Sequence, residues 1–216
     1  MNETLPLIAG CIVAYLIGSF SSAVWIGKWF YHTDVRAQGS GNAGATNTIR
    51  VLGTKAGIVV MVLDILKAWG AVKLAHVFAG NSLTANQLID YKIVLGALAV
   101  LGHVFPVFTG FKGGKGVASL VGVIIALYSP YIFLIILGWF ILVFIATRYV
   151  SLASITGALL FAILAIFVFH EQNVYLIILA GLIAIFIPIT HHKNIKRLLK
   201  GEENKLSFRK KIKLTE

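Results

Sequence analysis

The chain has 216 residues and a formal net charge of +11, with 58% hydrophobic and only 12% charged residues and a mean hydropathy of +0.89. A soluble domain carries roughly 25% charged residues, so this deficit excludes an ordinary water-soluble fold and points to lipid as the solvent. The single cysteine, Cys11, excludes a disulfide framework within one chain.

The first apolar run spans residues 6–27. The opening "MNETLPLIAG" has neither a positive n-region nor a small-residue cleavage site, so the run reads as a retained helix. After a charged connector, "YHTDVRAQ", comes "GSGNAGATNTIR". Its Gly39-x-Gly41-x-x-Gly44, with Asp64 further on, matches the dinucleotide-binding fingerprint as a bare pattern. The context rejects that reading: no strand precedes it, and Asp64 falls inside the next apolar run, out of reach of a ribose. The stretch reads instead as an anion loop. Glycines such as Gly41 let backbone N–H groups turn toward an anion, Ser40, Asn42, Thr46 and Asn47 add polar contacts, and Arg50 offers a bidentate fork for phosphate. The alternative is a flexible loop entering a helix.

The second run, 57–79, contains Asp64 and Lys67, three residues apart and able to pair. Ionisable residues within a span are a functional-site hypothesis by default, and here they are expected to orient neighbouring loops. The third run, 93–109, carries His103, read as a packed or hydrogen-bonded residue. No His, Asp or Glu accompanies it at ligand spacing, so no metal site is expected. "FKGGKGVAS", residues 111–119, then sets Lys115 among Gly113, Gly114 and Gly116 just before an apolar helix. N–H groups at a helix start suit a phosphate. Gly116 stands where a Walker A loop needs Ser or Thr, so this is not a magnesium–nucleotide loop. A turn whose lysines merely set topology is the alternative.

Residues 117–128 and 131–147 form either one long helix or a hairpin broken at Ser129-Pro130. The first of these runs would rise only ~18 Å at 1.5 Å per residue, so it extends into its flanks or stops short of crossing. The connection "RYVSLAS" places Ser151 and Ser154 on one helical face, as caps or as ligands. After runs at 152–169 and 174–190 comes "HHKNIKRLLKGEENK", where His191, Asn194 and Arg197 recur every three residues and share a helical face. A basic helix on anionic headgroups explains the lysines of this segment, but not Asn194 or the pair Glu202 and Glu203.

The charges fix an expected topology. Lys28, Arg36, Arg50, Lys55, Lys112, Lys115, Arg148 and the tail lysines and arginines alternate with connections that hold only Glu3, Asp90, Lys92 and Glu171. This asymmetry follows the positive-inside rule and makes nucleic-acid binding unnecessary. It favours the hairpin, hence an all-α integral membrane protein of seven transmembrane helices, N-terminus outside and C-terminus cytoplasmic. All four polar segments then lie at the cytoplasmic face. A membrane domain at 1–200 and a basic cytoplasmic tail at 201–216 are the expected organisation.

The segments "GSGNAGATN" with Arg50, "LGHVFPVFTGFKGGKGVA", "RYVSLASI" and His191-x-x-Asn194-Ile195-x-Arg197-Leu198-x-x-Gly201-x-Glu203, in this order, resemble the bacterial acyl-phosphate-dependent glycerol-3-phosphate acyltransferases, the PlsY family. The resemblance runs from about Gly18 to Lys205. It implies a seven-span enzyme of the bacterial cytoplasmic (inner) membrane, at the first step of phospholipid synthesis. Such an enzyme moves an acyl group from acyl phosphate to the 1-hydroxyl of glycerol 3-phosphate, releasing lysophosphatidic acid and phosphate, and needs no cofactor. By the same resemblance, Ser40, Gly41, Asn42, Thr46, Asn47 and Arg50 bind one phosphate, and Gly113, Gly114, Lys115 and Gly116 the other, with Arg197 also on the substrate. Ser154, His191 and Asn194 orient the attacking hydroxyl and the acyl carbonyl. Either His191 or a substrate phosphate oxygen is the base. Acyl phosphate is already an activated anhydride, so no covalent enzyme intermediate is required. For the tail lysines, anionic lipid and a soluble acyl-phosphate-making enzyme are both open as partners.

Other classes fit less well. No histidine is followed five positions later by Asp, which excludes the H-x4-D acyltransferases, and no Arg-Pro pair marks a lipid phosphatase. A phosphate transporter is kept open only by Asp64 and Lys67, since neither an internal repeat nor outer polar motifs are present.

Overall fold

A computed structural model describes residues 4–207, and among these every regular element is helical. The chain divides into two compact units, the first running to Leu127 and the second from Tyr128 to Ser207.

In the first unit, α1 (Thr4–Ser19) and α2 (Ser22–Tyr31) replace the single helix expected at 6–27. They meet at 47°. The break has partners. The Phe20 carbonyl accepts a hydrogen bond from Lys67, and the Ser22 hydroxyl donates to Asp64. A freed carbonyl in an apolar setting needs such a partner, and the side chains of another helix supply it. After a 3-10 turn at Val35–Ala37, α3 (Ala45–Leu52) occupies the second half of the expected glycine-rich loop. Next come α4 (Thr54–Lys73), the short α5 (Ala75–Ala79), α6 (Ala85–Val104) and α7 (Val117–Leu127). The α6 helix begins well before its apolar run because Thr84 and Gln87 form a reciprocal capping box over polar residues. The α1 and α6 helices pack together, and α4 packs on α3, α6 and α7. Small residues set these distances. A Cβ at Gly18 would overlap the Ala99 backbone, and one at Gly122 would overlap the Ile65 carbonyl.

In the second unit, α8 (Pro130–Thr147) starts at the expected break, with Ser129 as N-cap and Pro130 in the first turn. It ends at Arg148, in the left-handed conformation (φ 60°). The α9 helix (Val150–Ile163) continues into a π-turn at Leu164–Val168, and α10 (Val174–Thr190) bends by 63° into α11 (His192–Leu199). The α9 helix packs against both α8 and α10. Tyr128 sits at this core, edge-on to Phe161 at 4.9 Å, with its hydroxyl donating to the Leu176 carbonyl at 2.6 Å. Residues 201–207, the expected start of the basic cytoplasmic tail, fold back: the Leu206 N–H donates to the Arg148 carbonyl at 3.0 Å. The rest of the expected tail, 208–216, lies outside the described residues.

Among the described residues, three helical stretches are long and apolar enough to cross a membrane, or up to five when each bent pair counts as one. Two of the seven expected spans fall outside that set. The α4 helix carries Lys55, Asp64, Lys67 and Lys73, and α7 has only 11 residues.

Candidate active site

The polar chemistry of the first unit collects around two loops. In the first loop, Gly39 and Gly41 have positive φ (64° and 71°), which lets the chain reverse before α3. Asn47 is buried at 1% exposure, and its amide is turned onto the loop itself. It donates to the carbonyls of Val35 (2.7 Å) and Gln38 (3.1 Å) and accepts from the Ser40 N–H (2.8 Å). Asn47, expected to contact a phosphate, here ties the loop together. The Gly41 N–H is likewise bound to the Gln38 carbonyl at 3.1 Å. Thr46 and Arg50 lie four apart on α3, both half-buried and on one face, while Ser40 is exposed and Asn42 half-buried beside Gly44.

The second loop is held just as firmly. The Gly113 and Gly114 N–H groups donate to the carbonyls of Val104 and His103, each at 3.1 Å. The amides of these two glycines, expected to face an anion, are here engaged by carbonyls at the end of α6. The glycines also allow close approach, since a Cβ at Gly114 would overlap the His103 imidazole Nε2 and one at Gly113 the His103 carbonyl. Lys115 is half-buried, and Gly116 (φ 87°) turns the chain into α7, whose first N–H groups have no acceptor within the helix.

Arg36 joins the two loops. Its guanidinium forms a fork on Asp34 (Nη2 to Oδ2, 2.8 Å; Nε to Oδ1, 3.0 Å) and also donates to the Thr109 carbonyl at 2.7 Å. The hydrogen bond from Arg36 holds the Asp34 carboxyl below its ordinary value, against the opposing effect of partial burial. Both residues line a cleft of about 520 Å³ with Ala37, Gly41, Thr109, Gly110 and Lys112. Nothing in the sequence singled out Arg36 except its i,i+2 spacing from Asp34. Below the loops, Lys67 contacts Asp64 at 2.7 Å and His103 Nδ1 at 3.1 Å. The expected pair is present, and His103 joins it as a third member.

In the second unit, one carboxylate organises the polar end. Glu203 Oε1 accepts from Asn194 Nδ2 (2.7 Å) and Ser151 Oγ (2.9 Å), and Oε2 accepts from Arg197 Nε (2.7 Å). Burial raises the Glu203 pKa, but the hydrogen bonds from Arg197, Asn194 and Ser151 together with the Arg197 charge outweigh it, so the net shift is downward. Sequence reasoning singled out Asn194 and Arg197 but gave Glu203 no role. The signal was an acidic residue in a basic segment. His191 is buried at 3%, and its Nδ1 lies 2.9 Å from the Ile187 carbonyl. A carbonyl only accepts, so Nδ1 carries the proton and Nε2 bears the lone pair in the neutral ring. Ser154 is also buried, its hydroxyl donating to the Val150 carbonyl one turn back at 2.9 Å. Among the described residues, no three His, Cys, Asp or Glu side chains come together as a metal site.

A helical scaffold with several apolar stretches long enough to cross a membrane, and with clustered cationic, amide and hydroxyl groups on glycine-tightened loops, defines a polytopic membrane protein. A sequence model of the glycerol-3-phosphate acyltransferase family matches residues 8–201. The chain is 47% identical over 197 residues to a glycerol-3-phosphate acyltransferase of Fusobacterium nucleatum, covering 91% of this chain and 96% of that one. It is 44% identical over 207 residues to one of Listeria monocytogenes, covering 95% and 99%. Among solved structures it is similar to PlsY, an integral membrane glycerol 3-phosphate acyltransferase, in its glycerol 3-phosphate form. The TM-score is 0.82 at 39% identity, covering 93% of this chain and 96% of that one. The lysophosphatidic acid form of PlsY gives 0.79 at 38%, covering 94% and 96%. The chain belongs to the glycerol-3-phosphate acyltransferase family.

Proposed function

We propose that the protein transfers a fatty acyl group from acyl phosphate to the 1-hydroxyl of glycerol 3-phosphate. The likeness to PlsY in its glycerol 3-phosphate form carries this reading, because it extends over 93% of the chain. The lysophosphatidic acid form of the same relative supports the product. In balanced terms, the hydroxyl oxygen adds to the acyl carbon, the anhydride C–O bond breaks, and inorganic phosphate leaves. The hydroxyl proton goes to the base. The bond broken is already activated, so positioning and charge stabilisation carry the catalysis without a covalent enzyme intermediate.

Ser40, Gly41, Asn42, Thr46 and Arg50 would bind one phosphate, with Asn47 shaping their loop. Lys115, Gly116 and the start of α7 would bind the other, with Gly113 and Gly114 allowing the loop its tight course. His191, with its lone pair on Nε2, would orient or deprotonate the hydroxyl. Asn194 and Ser154 would guide the reacting groups, and Arg197 would use its remaining donors on phosphate. The seven-span topology, the N-terminus outside and the cytoplasmic membrane as location belong to the same proposal. So do the membrane domain and the use of the basic tail by anionic lipid or an acyl-phosphate-making enzyme.

The test is phosphate release by the purified protein in lipid, given acyl phosphate, glycerol 3-phosphate or both, with acyl-CoA as a parallel donor. Release requiring both substrates, with acyl-CoA inert, is expected. Release without glycerol 3-phosphate would mean a phosphatase, and turnover of acyl-CoA would overturn the donor. Near-normal turnover by His191→Ala would assign the base to a substrate phosphate.

A further inference from the structure

The transfer proposed above leaves the charged network inside the helices of the first unit without a role. Asp64 is 1% exposed, the Lys67 side chain 9% and the His103 side chain 5%. An ion pair at such depth is costly to assemble, and it is retained only when every member is hydrogen-bonded. This one is. Asp64 accepts from Ser22 at 2.9 Å and from Lys67 at 2.7 Å, and Lys67 also donates to the Phe20 carbonyl at 2.8 Å. Three helices and the break between α1 and α2 are bound into one cluster.

The cluster has one outlet. Lys67 lies 3.1 Å from His103 Nδ1, whereas Asp64 Oδ1 lies 3.5 Å from it. An ammonium only donates, so the shorter contact makes Nδ1 the acceptor and leaves the proton of the neutral ring on Nε2. That Nε2 edge fills the space a Cβ of Gly114 would take. The His103 carbonyl meanwhile accepts the Gly114 N–H at 3.1 Å. One residue thus holds the glycine–lysine loop from both sides, by its ring and by its backbone, and the buried ion pair holds that ring.

We propose that Asp64, Lys67 and His103 form a seat that positions the Gly113–Lys115 loop for its phosphate, making Lys67 and His103 positioning residues of the acyl transfer. The proposal rests on the phosphate-binding reading of that loop. A merely structural network would change stability without preference between substrates. A seat changes the affinity for the one substrate whose phosphate the loop holds.

The experiment is steady-state kinetics of the full chain in lipid, varying glycerol 3-phosphate and acyl phosphate in turn, with thermal unfolding alongside. His103→Ala is expected to raise the KM of one substrate about tenfold and to change kcat far less, a loss of about 1.4 kcal/mol in binding. His103→Gln, whose amide reaches the Nε2 position, restores most of it. The double variant Asp64→Asn/Lys67→Met removes both charges and avoids leaving one buried alone. It raises the same KM, and adding His103→Ala makes it no worse. Unchanged KM values in folded His103→Ala protein would overturn the seat, as would both KM values rising together with a lower unfolding temperature. Additive effects would overturn it too, since the ion pair would then not act through His103. Lys115→Ala separates the levels. If it shifts one KM while the seat variants do not, the seat alone falls. If it shifts neither, the phosphate reading falls and takes the seat with it.

Discussion

The two units build their polar sites by opposite means. In the first, the loops are held through backbone: amides of Gly113 and Gly114 on helix-end carbonyls, and Asn47 on the carbonyls of Val35 and Gln38. In the second, a single side chain, Glu203, gathers Ser151, Asn194 and Arg197. A site held by backbone is sensitive to added volume, because no rotamer can relieve a Cβ placed against a carbonyl or a fixed ring. A site held by a carboxylate is sensitive to charge, because three donors lose their acceptor together.

Changing Glu203 tests the second half of that contrast and has the largest expected effect. Glu203→Ala removes the carboxylate that the partly buried Arg197 charge and the Asn194 and Ser151 donors share. Because Arg197 retains 33% side-chain exposure, the loss is set at about 2–4 kcal/mol, below the range for a fully buried pair. Thermal unfolding in detergent measures it, and an unchanged midpoint would show that the hub carries no stability.

Acid probes the same hub. The folded-state pKa of Glu203 is below its reference of 4.5, so its contribution is complete above that pH and is lost as pH falls through the folded value. Stability measured from pH 7 downward should fall below about 4.5 in the parent chain, with a shallower slope in Glu203→Gln. Identical slopes would assign the acid sensitivity to other carboxylates.

Arg36 gives the smallest expected effect and the sharpest comparison. Arg36→Lys loses the two-pronged contact to Asp34 and keeps a charge near Thr109, at a site about one-fifth exposed. The expected loss is about 0.5–1 kcal/mol in stability after solvent screening, with kcat/KM reduced a few-fold. A loss as large as that of Glu203→Ala would mean that side-chain charge also governs the first unit.

Much of this was legible beforehand because it depends on local chemistry. The glycine-rich stretch with Arg50, the GGKG loop and the three-residue recurrence of His191, Asn194 and Arg197 were visible as patterns. Residue type alone did not reveal which polar atoms the fold engages. Asn47 and the two glycines read as anion donors from residue type, and in the structure their polar groups meet backbone seven to twelve residues away along the chain. Phe20 and Ser21 lie inside the 6–27 run, where the flanking Gly18-Ser19 and Ser22 are the local signal of a break. The partners of that break, Asp64 and Lys67, became visible only in the fold.

The sequence by itself determined the solvent, the helical class, the family and the identity of the polar segments, because composition, charge asymmetry and motif spacing are properties of the chain alone. Tertiary structure decided which polar atoms are committed and to what. Glu203 became a hub, His103 came to rest against Gly114, and Arg36 came to bridge two loops separated by 73 residues. The physical reason is that a buried donor or acceptor must find a partner, and only folding brings candidates from distant segments within hydrogen-bonding distance.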